Sequence, residues 1–119
     1  HFDDVVETTM MNMFYAGKMK TMTPIVPSTT GKLTLIRPMV YIKEDSIIDY
    51  TKKNGILAMN CGCTIEAGKT SSKRRETKEL LVALEEKTPG IKQSIFNSMN
   101  NINLDYVFGY TRGNKNDEK

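Results

Sequence analysis

Only one stretch of this 119-residue chain, Lys32 to Ile42, is patterned for a β-sheet. Leu33, Leu35, Ile36, Met39, Val40 and Tyr41 make it apolar on both sides, as in a strand buried between two layers. An isolated strand leaves backbone donors and acceptors unmet, so this one needs a neighbour. Pro38 cannot donate to a ladder, and pairing is expected to end or bulge there. The other apolar residues recur at helical spacing, giving an α/β chain that is mostly helical, with four helices and one or two strands. That inventory is odd for a complete domain. It predicts a parallel sheet completed by residues upstream of His1, and a strand and first helix that otherwise bury against a second copy in a homodimer.

The first helix is expected over about Asp3–Ala16, with Val6, Met10, Met13 and Phe14 at helical spacing and Gly17 as the stop. Lys18 to Gly31 then reads as a long loop. A second helix starts at Glu44-Asp45-Ser46, carries Ile47, Ile48 and Thr51 on one side, and ends at Asn54-Gly55. Ile56 to Met59 is expected to be a short extended piece, and residues 60–71 a loop. A third helix follows over roughly Ser72–Lys87, burying Leu80, Leu81 and Leu84. Thr88-Pro89-Gly90 breaks the chain before a fourth helix with the stripe Ile91, Ile95, Met99 and Ile102. After Tyr110 the composition becomes polar and a frayed tail is expected. No internal repeat is visible.

The apolar fraction of 39% and charged fraction of 26% argue against disorder over most of the length. No apolar run approaches the roughly 18–20 residues that cross a bilayer, and no cleavable targeting segment is visible. The net charge of +3 is small, but Lys69, Lys73, Arg74, Arg75 and Lys78 crowd together. Such a run is most often a solvated helix face. Here it falls at the expected start of the third helix, the unfavourable end of the dipole for cations, and a bound anion would relieve the mismatch. The only cysteines, Cys61 and Cys63, are too close in sequence for an ordinary disulfide. They favour a reducing, cytoplasmic setting with the thiols free or bound to metal.

The chain opens His1-Phe2-Asp3-Asp4-Val5-Val6-Glu7-Thr8, a chemical motif that starts without an initiator Met and reads as the C-terminal piece of a longer protein. His1 and Asp4 are one helical turn apart and face the same side. Asp3 and Asp4 have two open readings: a cap on the first helix, or carboxylates that hold Mg²⁺ or orient a nucleotide.

This opening resembles the His-x-x-Asp-Asp-x-x-Glu-Thr element of the PP-loop ATPases. Met11-Asn12-Met13-Phe14-Tyr15-Ala16-Gly17-Lys18-Met19-Lys20-Thr21-Met22 is similar to the branch that makes tRNA 2-thiocytidine. So are Ile36-Arg37-Pro38-Met39-Val40-Tyr41, Lys43-Glu44-Asp45-Ser46-Ile47, Pro89-Gly90-Ile91 and Phe96-Asn97-Ser98-Met99-Asn100-Asn101. The resemblance runs in order over about residues 1–105. It implies the C-terminal part of an adenine-nucleotide α-hydrolase-like fold: residues 1–59 in the ATPase domain, 60–110 a helical region with the Cys loop, and 111–119 a tail. It also implies adenylation of an anticodon-loop cytidine by ATP, followed by displacement of AMP by sulfur. His1, Asp3 and Asp4 would then meet nucleotide and Mg²⁺. Cys61 or Cys63 would supply one ligand to an iron–sulfur cluster, a [4Fe–4S] centre, although Cys-x-Cys departs from the family's Cys-x-x-Cys. Lys18, Lys20, Arg37, Lys73, Arg74 and Arg75 would meet tRNA phosphates, and a cysteine desulfurase would deliver sulfur. The family's phosphate loop is not in this sequence, so no ATP-dependent turnover and no bound cluster are expected of the 119 residues alone. Two other readings remain: a non-catalytic RNA-binding module, and a PP-loop enzyme acting on another tRNA base. No catalytic residue is assigned.

Overall fold

The computed structural model describes residues 1–57 and 67–111, with the backbone alone over 67–71. Helix α1 spans Phe2–Met11 and continues as a π-helical turn over Asn12–Ala16. Gly17, left-handed at φ 60°, ends it where expected. A short antiparallel hairpin follows, β1 (Ile25–Pro27) and β2 (Thr34–Ile36), then α2 (Glu44–Lys53), α3 (Ala67–Lys87), α4 (Ile91–Ser98) and a 3₁₀ turn at Leu104–Tyr106.

The core is built on α1. Phe2, Val5, Val6 and Met10 are buried with Val40, Leu81 and Phe96, and Met22 and Ile95 pack against them. The Phe2 and Phe96 rings stack at 4.9 Å, and Tyr41 meets Phe96 edge-on at 5.7 Å. Helix α1 is thus covered by α3 and α4 of its own chain, and needs no second copy to bury its apolar face. Thr9 and Thr77, both buried, satisfy their hydroxyls on the carbonyls of Val5 and Lys73 at 2.8 Å. These local bonds allow polar side chains inside a small core.

The sheet departs most from expectation. Of the stretch Lys32–Ile42 only Thr34–Ile36 is strand, and its partner is Ile25–Pro27, inside the expected loop. Ile25 pairs with Ile36, Val26 with Leu35 and Pro27 with Thr34. The pairing is antiparallel, and among the described residues this hairpin is the whole sheet. Leu33, Leu35 and Ile36 are 74%, 52% and 63% exposed, so the apolar pattern is not buried by these residues. The ladder ends just before Pro38, with the Arg37 N–H donating to Pro24 O at 2.8 Å. Residues 37–42 then turn and deliver Val40 to the core.

Three helix expectations also need correction. The wider π turn shifts the phase of the first helix, so Met13 and Phe14 point outward, 39% and 48% exposed. Helix α3 starts five residues before Ser72, so residues 67–71 are helix, not loop. Leu81 is its buried leucine, Leu84 is half-buried, and Leu80 lies outside. In α4 the deepest residue is Phe96, while Ile102 lies past the helix end and is exposed. The extended piece expected at Ile56–Met59 is described only to Leu57, and the rest of the Cys loop and residues 112–119 of the tail lie outside the described residues. Among the described residues no helix is long and apolar enough to cross a membrane.

Candidate functional site

At its N-terminal end α1 meets α2, α3 and α4, and charged side chains from all four helices converge there. His1 is the N-cap: its Nδ1 accepts the Asp4 N–H at 3.2 Å, and Asp4 Oδ2 accepts from the His1 backbone nitrogen at 3.4 Å. The N-cap, one of the two readings open for Asp3 and Asp4, therefore belongs to His1, in a reciprocal box that engages one oxygen of Asp4 and leaves Asp3 and the other Asp4 oxygen to reach elsewhere. Asp3 Oδ2 accepts the N–H of Glu44 at 2.8 Å, at the first turn of α2. Its Oδ1 accepts from Lys92 Nζ of α4 at 3.0 Å. Asp4 Oδ1 lies 3.3 Å from Arg74 Nη1 of α3, and the same nitrogen lies 3.2 Å from Glu7 Oε2. Lys78 Nζ donates to Glu44 Oε2 at 2.8 Å, and His1 Nε2 sits 3.2 Å from Asp4 Oδ2.

The cluster pairs the carboxylates Asp3, Asp4, Glu7 and Glu44 with the cations Arg74, Lys78 and Lys92. Burial works to raise the Asp3 pKa, but the Glu44 N–H and the Lys92 ammonium outweigh it and hold the carboxyl below its ordinary value. Glu7, only 5% exposed, goes the other way: burial pushes it up despite the pull of Lys78 and Arg74. The hydrogen bond to Glu44 raises Lys78. Glu85 of α3, held low by the Lys92 and Gly90 N–H groups at 2.9 Å, caps the start of α4.

The geometry separates the proposed site residues. His1, Asp3 and Asp4 do come together with Glu7, one helical turn beyond Asp4, joined by Glu44, Arg74, Lys78 and Lys92, which local spacing does not reveal. Both oxygens of Asp3, and both of Asp4, already face a donor or a cation. Among the described residues no three His, Cys, Asp or Glu side chains are grouped to hold a metal ion. In this arrangement Mg²⁺ does not fit on Asp3 and Asp4 without displacing Arg74, Lys92 or His1. The adjoining cleft, lined by Phe2, Asp3, Lys43, Glu85 and Lys92 among others, is about 150 Å³, smaller than a typical ligand pocket. A larger depression, about 460 Å³, is lined by α3 alone and is an open flank rather than an enclosure.

The basic residues divide similarly. Lys73, Arg74 and Arg75 lie beyond the first turn of α3, so the dipole mismatch expected for these three does not arise. Arg74 turns inward to Asp4 and Glu7, Arg75 is exposed beside Glu79 at 3.9 Å, and Lys73 Nζ sits 4.8 Å from the Tyr15 ring centroid. Arg37 is held by the Thr23 carbonyl at 2.7 Å, where it ties the base of the hairpin. Lys18 and Lys20 are exposed. Cys61 and Cys63 lie outside the described residues.

No family model and no solved structure matches the chain. Curated relatives do. A protein of Geobacter sulfurreducens named tRNA-cytidine(32) 2-sulfurtransferase is 36% identical over 107 residues, 90% of this chain and 41% of the relative. Proteins of the same name from Geotalea uraniireducens and Geobacter metallireducens are 35% and 37% identical, over 90% and 86% of this chain and 42% and 39% of their own lengths. The chain spans about two fifths of the curated relatives it matches. Over nearly its whole length, then, the chain is homologous to one part of the tRNA-cytidine(32) 2-sulfurtransferases.

Proposed function

We propose that the protein to which this chain contributes 2-thiolates a cytidine in the anticodon loop of tRNA, using ATP. The observation that carries this reading is the 35–37% identity to sulfurtransferases over about nine tenths of the chain. In the proposed reaction the cytosine carbonyl oxygen attacks the α-phosphorus of ATP and pyrophosphate leaves. A sulfur nucleophile then attacks the activated carbon, and AMP departs with the oxygen. The convergence of His1, Asp3 and Asp4 with three cations supports their place at one wall of the nucleotide site. Asp3 and Asp4 act there by holding Lys92 and Arg74 toward phosphate oxygens, a charge-assisted interaction that both side-chain types make. One thiolate of Cys61 or Cys63 would ligate an iron–sulfur cluster, for which thiolates are the natural donors, and such a cluster would supply a site for the sulfur to be transferred. Lys18, Lys20, Lys73 and Arg75 contact tRNA phosphates, a sequence-independent attraction. A sulfur donor such as a cysteine desulfurase, a cytoplasmic location and a homodimer complete the reading.

The test is nucleoside mass spectrometry of tRNA from a strain lacking the full gene. Loss of 2-thiocytidine, restored by the intact gene, is expected. Unchanged 2-thiocytidine in the deletion strain overturns the proposal.

A further inference from the structure

Among the described residues, two adjacent aromatic side chains at the end of the first helix are left about half exposed. The π turn leaves Phe14 and Tyr15 48% and 46% exposed, side by side, with their rings edge-on at 6.3 Å. π turns are rare and are frequently found at functional sites. Here the chain also folds back over the turn. Gly17 reverses it, the Lys18 N–H donates to Asn12 O at 3.1 Å, and the Asn12 side-chain amide donates to Lys20 O at 3.0 Å. The backbone of Lys18 and Lys20 is thereby tied to Asn12, the first residue of the turn that carries the rings, and Lys73 lies over the Tyr15 ring from α3. Between Glu7 and Glu44 the chain has no acidic residue, while Lys18, Lys20, Lys32, Arg37 and Lys43 are basic. The rings therefore stand in a strongly positive stretch, whereas the carboxylates are drawn into the ion-pair cluster at the other end of α1.

Half-exposed π faces with a cation over one of them, in a stretch of sequence whose charges are all basic, suit an unpaired nucleotide, whose base stacks while its phosphates meet ammonium groups. An apolar protein partner would not need the flanking lysines. We propose that Phe14 and Tyr15 form a stacking platform for an unpaired base of RNA, with Lys18, Lys20 and Lys73 holding the adjoining phosphates. This rests on the RNA-directed reading above and names the residues that would grip the loop. Lys73 occupies one face of Tyr15 in the free protein and swings to phosphate when a base takes its place, since a cation over a ring is only weakly held at an exposed site.

The test uses the full-length protein and an anticodon stem-loop RNA carrying 2-aminopurine at successive loop positions. With the wild type, and with Tyr15→Phe, fluorescence is quenched at one loop position. The double variant Phe14→Ala/Tyr15→Ala loses the quenching and binds about tenfold or more weakly, with the salt dependence little changed. Lys73→Ala keeps the quenching and lowers the salt slope by roughly one phosphate contact. Tyr15→Leu, which keeps apolar bulk without a π face, serves if the alanine variant is poorly folded, and it too loses quenching. Aromatic variants that are folded and bind RNA with unchanged affinity and quenching overturn the proposal. So does a fall in melting temperature with RNA binding intact, which would show the rings packing on protein. Tyr15-dependent binding in a protein whose deletion leaves 2-thiocytidine intact would instead reject the thiolation reading and keep the platform.

Discussion

Replacing Arg74 by Met tests whether the charge cluster holds the helices together. Arg74 Nη1 is the cation nearest both Asp4 Oδ1, at 3.3 Å, and Glu7 Oε2, at 3.2 Å, and the Glu7 side chain is 7% exposed. Hydrogen bonds to charged groups contribute about 1.5–3 kcal/mol when buried. The guanidinium is 43% exposed, so solvent screening reduces this, and the expected loss is about 1–2 kcal/mol. The loss should depend on pH. Burial holds the Glu7 pKa above its ordinary 4.5 even with Lys78 and Arg74 pulling it down. For a carboxylate raised on folding, stability falls as pH climbs from the unfolded value through the folded one, because the unfolded chain releases its proton first. Removing Arg74 lifts the folded pKa further and deepens that fall. The deficit of Arg74→Met should be largest near neutrality and shrink as pH drops toward 4.5. Urea unfolding by circular dichroism at several pH values measures it. Glu7→Gln in the Arg74→Met background should recover about 0.5–1 kcal/mol at neutral pH, a coupling that a double-mutant cycle isolates. A deficit independent of pH, with the two substitutions strictly additive, would refute this electrostatic account.

Asp3→Asn should cost about 1 kcal/mol near pH 6, since Asn still accepts the Glu44 N–H but loses Lys92. The Asp3 carboxyl is held below its ordinary 3.8, so its contribution is present above that pH and disappears as pH falls through the lowered value. Wild type and variant should therefore converge in acid, and a gap that persists there in unfolding curves contradicts the assignment. Phe96→Ala should destabilise by about 3–4 kcal/mol, because Phe96 stacks on Phe2 and meets Tyr41 in the core. A denaturation midpoint unchanged from wild type would show that this packing is not the core. At Gly17, φ is 60° and an added Cβ meets nothing within 4 Å, so the cost of Gly17→Ala is backbone strain alone, about 1 kcal/mol. Gly17→Asn should cost less, and an Asn variant weaker than Ala would contradict that reading.

Helix boundaries were legible where a residue's own backbone preference sets them. Gly17 at φ 60° and Gly55 at φ 62° end helices at the expected points, Gly90 at φ 91° breaks the chain before α4, and α2 begins at Glu44. The outward turn of Met13 and Phe14 was not legible, because a period of 3.6 cannot foresee a π insertion. The apolar run Lys32–Ile42 carried no record of its partner, so a hairpin to Ile25–Pro27 was read as a loop beside a buried strand. Small and polar residues over 67–71 suggested a loop, whereas the helix propagates through them. At the candidate site, His1 and Asp4 are neighbours by helical geometry and were found. Glu44, Arg74, Lys78 and Lys92 come from 41 to 89 residues away along the chain from Asp3 and Asp4, and local spacing says nothing about them.

The ordering of contacts in the core has a consequence for synthesis. Helix α1 leaves the ribosome before the residues of α3 and α4 that cover it, since Leu81 follows Phe2 by 79 positions and Phe96 follows it by 94. At about 5–20 residues per second, Phe2, Val5, Val6 and Met10 wait roughly 4–20 s for their partners on α3 and α4. Through that interval the apolar face of α1 is open to chaperones or to another nascent chain, and the helix can settle only when α4 arrives to close it.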